Sequence, residues 1–297
     1  SSVTGVQTCA LPIYDVRWAY YDEAMSEQMR HEAWVTKEMR RALAQEQFQV
    51  YLQPQYDHRT RKLVGAEALV RWNHPEKGLI SPGEFIPTFE KNNFILEMDA
   101  YVRNKVCSLL AEWQAQGLPL VPVSVNLSRL ELFEESLPER LSILAAKLPP
   151  QTLRLEITES AYTKDPEQLV TMIKKLQDKG FVVEMDDFGS GYSSLNTLHE
   201  MPVDVVKLDL RFLTGTHVQK SRLILQAIAG MLQQLQLPHG GNAALQQLQL
   251  PVIAEGVETV EQADFLEAIG CHIIQGYYYA KPMPAAQFAG LLARQEQ

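Results

Sequence analysis

Polar residues recur in this sequence at the ends of short apolar runs. Asp186 and Asp187 stand side by side at the end of VVEMDD and are followed by FGSGYSS. Taken alone, this stretch is typical of a turn, because Asp, Gly and Ser are turn-forming residues. The other runs end in a similar way, at positions Glu67, Asn126, Glu156, Lys207 with Asp209, Glu255 and Gln275.

These polar positions favour a site for divalent metal ions. Carboxylates that share a space repel one another unless a cation lies among them, and Lys207 is a single positive charge. Oxygen ligands without histidine or thiolate are those that Mg²⁺ and Mn²⁺ prefer. The 7 histidines show no HxH or HExxH spacing, so the sequence does not indicate a metal site built on histidines.

Strand geometry predicts how these side chains point. Lys207 and Asp209 are two residues apart, so both point to the same side of a strand. Asp186 and Asp187 cannot both point inward on a regular strand. We therefore expect the strand to end at this pair, with the following glycines freeing the backbone to turn both carboxylates inward. One aspartate would then bridge two metal ions while its neighbour holds only the second.

Eight runs rich in β-branched and apolar residues must position these side chains. They are FQVYLQPQY, KLVGAEALVRW, VPVSVNL, LRLEITES, FVVEMDD, VDVVKLDL, PVIAEGVE and HIIQGYYY. Between most of them lie helical patterns that close on glycine, such as DPEQLVTMIKKLQDKG. Eight strands alternating with helices over roughly 250 residues predict a (β/α)₈ barrel, whose chemistry gathers at the C-terminal ends of its strands. Two smaller α/β domains are the alternative.

Composition limits the classes of function. The chain has 297 residues, of which 46% are hydrophobic, so it can build a sizeable core. Its net charge of −9 argues against sequence-independent binding of a nucleic-acid polymer, although a small phosphate ligand stays possible beside metal ions. The 3 cysteines form no CxxC, which predicts a reducing, cytoplasmic location. No apolar run reaches the ~18 residues that a membrane span needs.

Three segments stand apart from this pattern. Residues 1 to 13 lack the basic start of a signal peptide and resemble translated sequencing-adapter read-through, so they are excluded from the fold prediction. From about Asp22 to Glu46 the polar sequence has apolar residues at helical spacing, which predicts an amphipathic linker helix. LQQLQLP occurs at 232–238 and again at 245–251. We interpret this duplication as a tolerated insertion or an assembly error, rather than a new regulatory loop, in the helix-to-strand connection before the seventh of the eight strands.

Taken in order, the motifs resemble the EAL family of cyclic di-GMP phosphodiesterases. The motif that gives the family its name stands here as EALVRW, from Glu67 to Trp72, and is followed by VNLS, LEITES, DDFGSGYSSL, VKLD, AEGVE and QGYYYAKP. A lone EAL tripeptide is weak evidence, whereas this ordered set is specific and runs from about Met39 to the C-terminus. FIPTFEKNNFI departs from the family's usual FIPxAExxGxI at Phe89 and Asn93, and the duplication is the other departure.

The resemblance implies a (β/α)₈ barrel whose first strand is antiparallel to the others, and hydrolysis of cyclic di-GMP to the linear dinucleotide pGpG. It implies two Mg²⁺ or Mn²⁺ ions, one held by Glu67, Asn126, Glu156 and Asp186 and the second by Asp186, Asp187 and Glu255. Ca²⁺ is expected to inhibit, because it is larger and prefers looser coordination. The implied catalytic residues are Lys207, Glu255, Asp187 and Glu159, where Lys207 orients the attacking water or the phosphate and Glu159 anchors the DFGSGYSS loop. The residues expected to contact or support the substrate are Gln53, Arg71, Gln275, Asp209 and Glu258.

The resemblance also concerns partners and domain organisation. The stretch YYDEAM is similar to the exit from a diguanylate cyclase (GGDEF) domain, so we expect a fragment of a longer protein with an upstream GGDEF or sensor domain. The predicted organisation is a non-native segment at 1–13, a linker helix at 14–38 and the phosphodiesterase domain at 39–297. A homodimer through the barrel is expected. The alternatives are a catalytically inactive cyclic di-GMP-binding module, a Mg²⁺-dependent lyase that uses Lys207 as base, and a structural scaffold.

Overall fold

The computed structural model describes residues 23–163, 165–189, 198, 200–210, 218–234 and 250–295. The 1–13 segment, most of the duplication and the second half of the DFGSGYSS loop therefore lie outside the described residues. The chain divides into two compact units, Ser1–Phe48 with Trp72–Phe94 and Gln49–Arg71 with Ile95–Gln297. Each unit is described in turn below.

The described residues form ten strands and eight α-helices. The strands are β1 (Phe48–Asp57), β2 (Lys62–His74), β3 (Gly78–Ile80), β4 (Val123–Asn126), β5 (Leu153–Thr158), β6 (Val182–Phe188), β7 (Val205–Asp209), β8 (Val252–Glu255), β9 (Ile273–Gln275) and β10 (Met283–Pro284). The α-helices are α1 (Glu23–Ala44), α2 (Pro82–Lys91), α3 (Ile95–Ala115), α4 (Leu137–Ala145), α5 (Pro166–Asp178), α6 (Val218–Gln234), α7 (Val260–Ala268) and α8 (Ala285–Leu292), with 3₁₀ turns at Glu131–Phe133 and Glu159–Thr163. Within these ranges, no helix is both long and apolar enough to cross a membrane.

The sheet closes on itself and forms a barrel. β2 and β4 to β9 are parallel neighbours in chain order. β1 is antiparallel to β9 and also pairs with β2, which closes eight strands into a ring. The predicted (β/α)₈ barrel with an antiparallel first strand is confirmed, and the alternative of two smaller α/β domains is wrong. β3 and β10, which the sequence analysis did not predict, extend β2 and β1.

The larger unit shows how the sequence pattern builds the barrel wall. All five residues of β7 are buried, as expected for a parallel strand that is covered on both faces. Helix α5 begins at Pro166 with Asp165 as its N-cap, whose carboxylate accepts a hydrogen bond from the Gln168 N–H at 3.1 Å. It ends before Gly180, which has a φ of +87°. Its buried residues recur at helical spacing and are Leu169, Met172, Ile173 and Leu176.

The smaller unit is held by aromatic packing between α1, α2 and the end of β2. Trp72 is fully buried, stacks on Trp34 with ring centroids 5.1 Å apart, and donates its indole N–H to Gln47 Oε1 at 3.0 Å. The buried residues of α1 are Val35, Met39 and Ala42. The linker helix predicted from about Asp22 to Glu46 is confirmed as α1. Because α1 continues unbroken to Ala44, the helix itself does not end at the predicted domain boundary of 38/39, which stays a prediction.

Both departures from the family's FIPxAExxGxI pattern are accommodated within the smaller unit. Phe89 is fully buried, and its ring centroid lies 5.2 Å from that of Phe85 and 4.8 Å from that of Phe94. Asn93 has a φ of +62°, a left-handed conformation that glycine adopts freely and asparagine tolerates best among the other residues. The larger Phe89 side chain therefore fills core space, and Asn93 keeps the backbone conformation of a glycine.

A buried carboxyl group supports the loop that follows β4. Asp99 of α3 accepts a hydrogen bond from the Ser128 N–H at 2.9 Å, and burial raises the pKa of Asp99 to about 7. Nearby, the guanidinium of Arg103 forms a buried two-pronged ion pair with Glu131. Because the folded-state pKa of Asp99 is raised, its favourable contribution to stability is present below its unfolded pKa of about 4 and is lost as the pH rises through 7.

Asp99→Asn should therefore flatten the dependence of stability on pH. Asparagine keeps the oxygen that accepts the Ser128 N–H but cannot ionise. We expect the variant to gain on the order of 2–3 kcal/mol relative to the wild type between pH 5 and pH 8. Urea unfolding at several pH values measures this. Asp178→Asn, on the exposed side of α5, is the control with unchanged pH dependence, and parallel curves for wild type and Asp99→Asn would contradict the prediction.

Candidate active site

Four carboxylates in the barrel surround one buried lysine. Lys207 of β7 is fully buried, and its Nζ lies 2.7 Å from Glu255 Oε1 and 2.8 Å from Glu156 Oε1. Asp186 Oδ1 and Glu67 Oε2 are each 3.2 Å from the same nitrogen. The acids come from β2, β5, β6 and β8, so barrel closure brings four of the six side chains that were predicted to bind metal to one place.

The electrostatics of this cluster are dominated by burial and by excess negative charge. Burial raises the pKa of Glu156 well above its usual value, and burial raises that of Glu255 to about 8 even though Lys207 opposes the shift. Burial alone would lower the pKa of Lys207, but the surrounding carboxylates outweigh it and raise this pKa well above its usual range. Glu156 Oε2 is buried and accepts no hydrogen bond from the described residues. The cluster therefore offers carboxylate oxygens and excess negative charge to additional cations.

Gln275 holds Glu67 in place and is itself held by two further glutamines. Gln275 Nε2 donates to Glu67 Oε2 at 2.5 Å and lies 3.4 Å from Gln53 Oε1. Gln55 Nε2 in turn donates to Gln275 Oε1 at 2.9 Å. Gln53 and Gln275, which we expected to contact substrate, are buried in this structure, where Gln275 contacts the Glu67 carboxylate and Gln53 contacts Gln275. Their contact with substrate stays a prediction.

Two residues near the site were missed by the sequence analysis. Glu184 is fully buried, and it accepts hydrogen bonds from Ser124 Oγ at 2.8 Å and from Arg154 Nη1 at 3.1 Å. It stands two positions before Asp186 on β6, so the alternation of strand side chains is the signal that pointed to it. Gln55 is the second missed residue, and it stands two positions after Gln53 on β1, so the same alternation pointed to it.

The adjacent aspartates adopt a conformation that differs from the prediction. β6 does not end at the pair but continues to Phe188, so the expected strand end is wrong. Instead, the register between β6 and β7 shifts between Met185 and Phe188, and Asp187 itself has a φ of +58°. Such a bulge re-aims one side chain without ending the strand. Asp186 Oδ1 accepts a hydrogen bond from the backbone N–H of Asp187 at 2.8 Å, which helps to orient the Asp186 carboxylate.

The remaining predicted site residues lie around the same strands. Glu67 lies inside β2, which continues to His74, so its predicted place at a strand end is wrong. Asn126 is the last residue of β4 and pairs in register with Glu156. Asp209, the last residue of β7, is buried and pairs in register with Glu255.

Three further residues follow or flank these strands. Glu159 begins the 3₁₀ turn after β5, and Glu258 precedes α7, where its N–H donates to Gln262 Oε1 at 2.7 Å. Both lie beyond their strands, as predicted. The guanidinium of Arg71 lies over the ring of Tyr51, 5.9 Å from its centroid, and burial lowers the pKa of Arg71. The catalytic and substrate-binding roles of these residues stay predictions.

Comparisons with known proteins show which family this chain is similar to. The model of the EAL domain family matches residues 36–239 and 242–282. The oxygen sensor protein DosP of Escherichia coli K12 is 33% identical over 279 residues, which is 93% of this chain and 33% of DosP. The cyclic di-GMP phosphodiesterase PA2567 of Pseudomonas aeruginosa is 31% identical over 285 residues, 94% of this chain and 46% of that protein.

A solved structure shows the same fold in complex with a nucleotide. The phosphodiesterase MucR of Pseudomonas aeruginosa, bound to cyclic di-GMP, has a TM-score of 0.75 and 32% identity and covers 86% of this chain and 99% of the solved chain. The present chain spans between a third and a half of the length of the relatives DosP and PA2567. Because the family model matches most of the chain, the chain belongs to the EAL domain family.

Proposed function

We propose that this domain hydrolyses cyclic di-GMP to the linear dinucleotide pGpG with the help of divalent metal ions. The observation that carries the proposal is the convergence of Glu67, Glu156, Asp186 and Glu255 on Lys207. PA2567 is named a cyclic di-GMP phosphodiesterase, and the MucR structure contains cyclic di-GMP. Both relatives share the barrel family with this chain, which supports the same substrate here.

The donor set fits Mg²⁺ or Mn²⁺. Its ligands are carboxylate and amide oxygens, one buried oxygen of Glu156 accepts no hydrogen bond from the described residues, and negative charge exceeds positive charge. The residues that would hold one ion are Glu67, Asn126, Glu156 and Asp186, and those that would hold the second are Asp186, Asp187 and Glu255. When bound, two such ions supply an activated water and stabilise the attacking and leaving oxygens of an in-line displacement.

Lys207 would act as a hydrogen-bond donor and positive charge. Four carboxylates surround its Nζ and raise its pKa well above the usual range, which favours the charged ammonium over the free amine that a general base needs. This argues against the alternative of a lyase that uses Lys207 as base. Its ammonium keeps the carboxylates together and would orient the attacking water or a phosphate oxygen.

Product analysis tests the proposal directly. The chain is incubated with cyclic di-GMP and Mg²⁺, and the products are identified by chromatography, with pGpG as the expected product. Metal-dependent cleavage of bis(p-nitrophenyl) phosphate is a simpler first assay. Tight binding of cyclic di-GMP without any product would instead favour the inactive binding module.

Turnover is expected to depend on the identity of the ion. A chelator should abolish hydrolysis, Mg²⁺ or Mn²⁺ should restore it, and Ca²⁺ should inhibit, because Ca²⁺ prefers more ligands at longer distances. Initial rates over a series of ion concentrations measure this. Full activity in excess chelator, after dialysis against the chelator, would contradict a metal-dependent mechanism.

The partners predicted from the sequence are proposals too. An upstream GGDEF or sensor domain agrees with the fact that the chain spans only part of its relatives. A homodimer through the barrel is supported by apolar side chains that are exposed on neighbouring helices: Leu223 and Ile224 on α6, and Val260 on α7. Arg222 of α6 lies over the ring of Phe265 of α7, 5.0 Å from its centroid, so these two helices contact each other. The cytoplasmic location stays a prediction.

A further inference from the structure

A second group of potential metal ligands lies away from the Lys207 cluster. His58 directly follows β1 and is buried, with 1% of its surface exposed. Its Nε2 lies 3.3 Å from Asp264 Oδ1 and 3.5 Å from Glu267 Oε2. The two acids are three residues apart on α7, so they share one face of that helix. One ligand atom from each of the three residues lies within 4.8 Å of the others.

The other nitrogen of the His58 ring is held by a hydroxyl group. His58 Nδ1 lies 2.7 Å from Tyr279 Oη, which also accepts a hydrogen bond from Arg61 Nη1 at 2.9 Å. The His58 backbone N–H donates to the His272 carbonyl at 2.8 Å. If Nδ1 donates to the hydroxyl, the lone pair of Nε2 points toward the two carboxylates. Metal-binding histidines are commonly oriented by such a hydrogen bond from the other ring nitrogen.

We propose that His58, Asp264 and Glu267 form a binding site for a divalent transition metal ion, with Zn²⁺ as the best fit. One imidazole nitrogen and two carboxylate oxygens are a ligand set that suits zinc, whereas magnesium and calcium prefer oxygen ligands alone. The side chains of Asp264 and Glu267 are 66% and 41% exposed, so water can reach the ion from outside and complete its coordination. Two carboxylates beside a neutral imidazole supply the charge that the ion needs.

The proposed zinc site is separate from the candidate active site. The residue before His58, Asp57, pairs with Ile273 at the start of β9, whereas Gln275 at the end of β9 contacts Glu67. The zinc site therefore lies toward the N-terminal end of the parallel strands, opposite the end where barrel chemistry gathers. An ion there would join the β1–β2 connection to α7, across 206 residues between His58 and Asp264. A ligand that binds only the folded state stabilises it.

A competing arrangement uses the same three residues without an ion. A His58 ring that carries a proton on Nε2 and donates it to the two carboxylates would also satisfy the observed distances. The two arrangements differ in whether the chain takes up a transition metal at this position. The experiment therefore counts bound zinc ions.

Zinc binding is measured on the full chain after removal of metals. Zn²⁺ is titrated in competition with a chromophoric chelator, in the presence of excess Mg²⁺, which favours occupation of the acidic cluster by Mg²⁺. The wild type should bind one more Zn²⁺ per chain than His58→Gln. The control is His272→Gln, which removes a neighbouring histidine outside the cluster and should bind as the wild type does.

Two exposed substitutions keep the test decisive if His58→Gln fails to fold. Asp264→Asn and Glu267→Gln lie on the exposed face of α7, and each should weaken zinc binding at this site at least tenfold. Co²⁺ in place of Zn²⁺ should show visible absorption bands that these variants reduce. Equal zinc stoichiometry and affinity in the wild type and in Asp264→Asn and Glu267→Gln would overturn the proposal, whatever the outcome of the cyclic di-GMP assay.

Discussion

Glu67→Ala is expected to lower the rate of cyclic di-GMP hydrolysis by about a thousandfold or more. Glu67 Oε2 lies 3.2 Å from Lys207 Nζ and accepts the amide of Gln275, so the carboxylate is buried and firmly oriented. A methyl group can neither bind a cation nor accept these hydrogen bonds. A thousandfold loss corresponds to about 4 kcal/mol of transition-state stabilisation, a magnitude reasonable for removing one ligand of a metal-assisted site.

Glu67→Gln separates the charge of this residue from its shape. Glutamine keeps the volume and can accept the Gln275 hydrogen bond, so a loss similar to that of the alanine variant would show that the negative charge is required. The melting temperature in chelator is the folding control. Because four carboxylates crowd Lys207, removing one should leave this temperature unchanged or higher. Glu112→Ala, on the exposed face of α3, is the control and should retain full activity. If Glu67→Ala lowers the rate only a few-fold, Glu67 is not a metal ligand.

Asp187→Asn should bind cyclic di-GMP within a few-fold of the wild type yet cleave it about a hundredfold more slowly, whereas Asp186→Asn should lose both binding and turnover. Asp186 lies 3.2 Å from Lys207 and is proposed to serve both ion sites, so its charge supports the whole cluster. Asp187 is proposed to serve only the second ion. Losing the activation of water at one ion costs about 2–3 kcal/mol on this interpretation.

The backbone conformation at Asp187 allows asparagine to replace aspartate without added strain. Its φ of +58° lies in the left-handed region that asparagine tolerates well, so Asp187→Asn keeps the bulge of β6 and changes only the charge. Asp187→Gly keeps the same conformation and removes the whole carboxyl group, so it should match the asparagine variant in rate. Isothermal titration in Ca²⁺ measures binding, and product assays in Mg²⁺ measure turnover. If Asp187→Asn turns over at the wild-type rate, the adjacent aspartates are explained as an ordinary turn, without a role for Asp187 in hydrolysis.

Local patterns in the sequence predict most of the fold. The eight apolar runs correspond to the eight strands of the barrel, and the polar pattern from Asp22 to Glu46 corresponds to α1, because side-chain periodicity records which face of an element is buried. The set of acidic residues is also visible in the sequence, because each acid lies in or directly beside an apolar run that forms a strand. Periodicity is read over windows of roughly 11–18 residues, so these features can be predicted from residues that are close in the sequence.

The contacts within the site depend on the closure of the barrel. Glu67 and Lys207 are 140 residues apart in the sequence, and Gln275 and Glu67 are 208 residues apart, so no local pattern predicts that the Gln275 amide orients the Glu67 carboxylate. The left-handed Asp187 in place of a strand end is decided by the pairing of β6 with β7. The meeting of His58 with Asp264 and Glu267 is decided in the same way, because β1 runs antiparallel to β9 and places His58 beside α7. The sequence by itself determines the apolar periodicity of the strands and helices and the positions of the acidic residues, whereas the tertiary structure decides which polar residues are buried and which of them touch, because contact follows from long-range packing that periodicity does not encode.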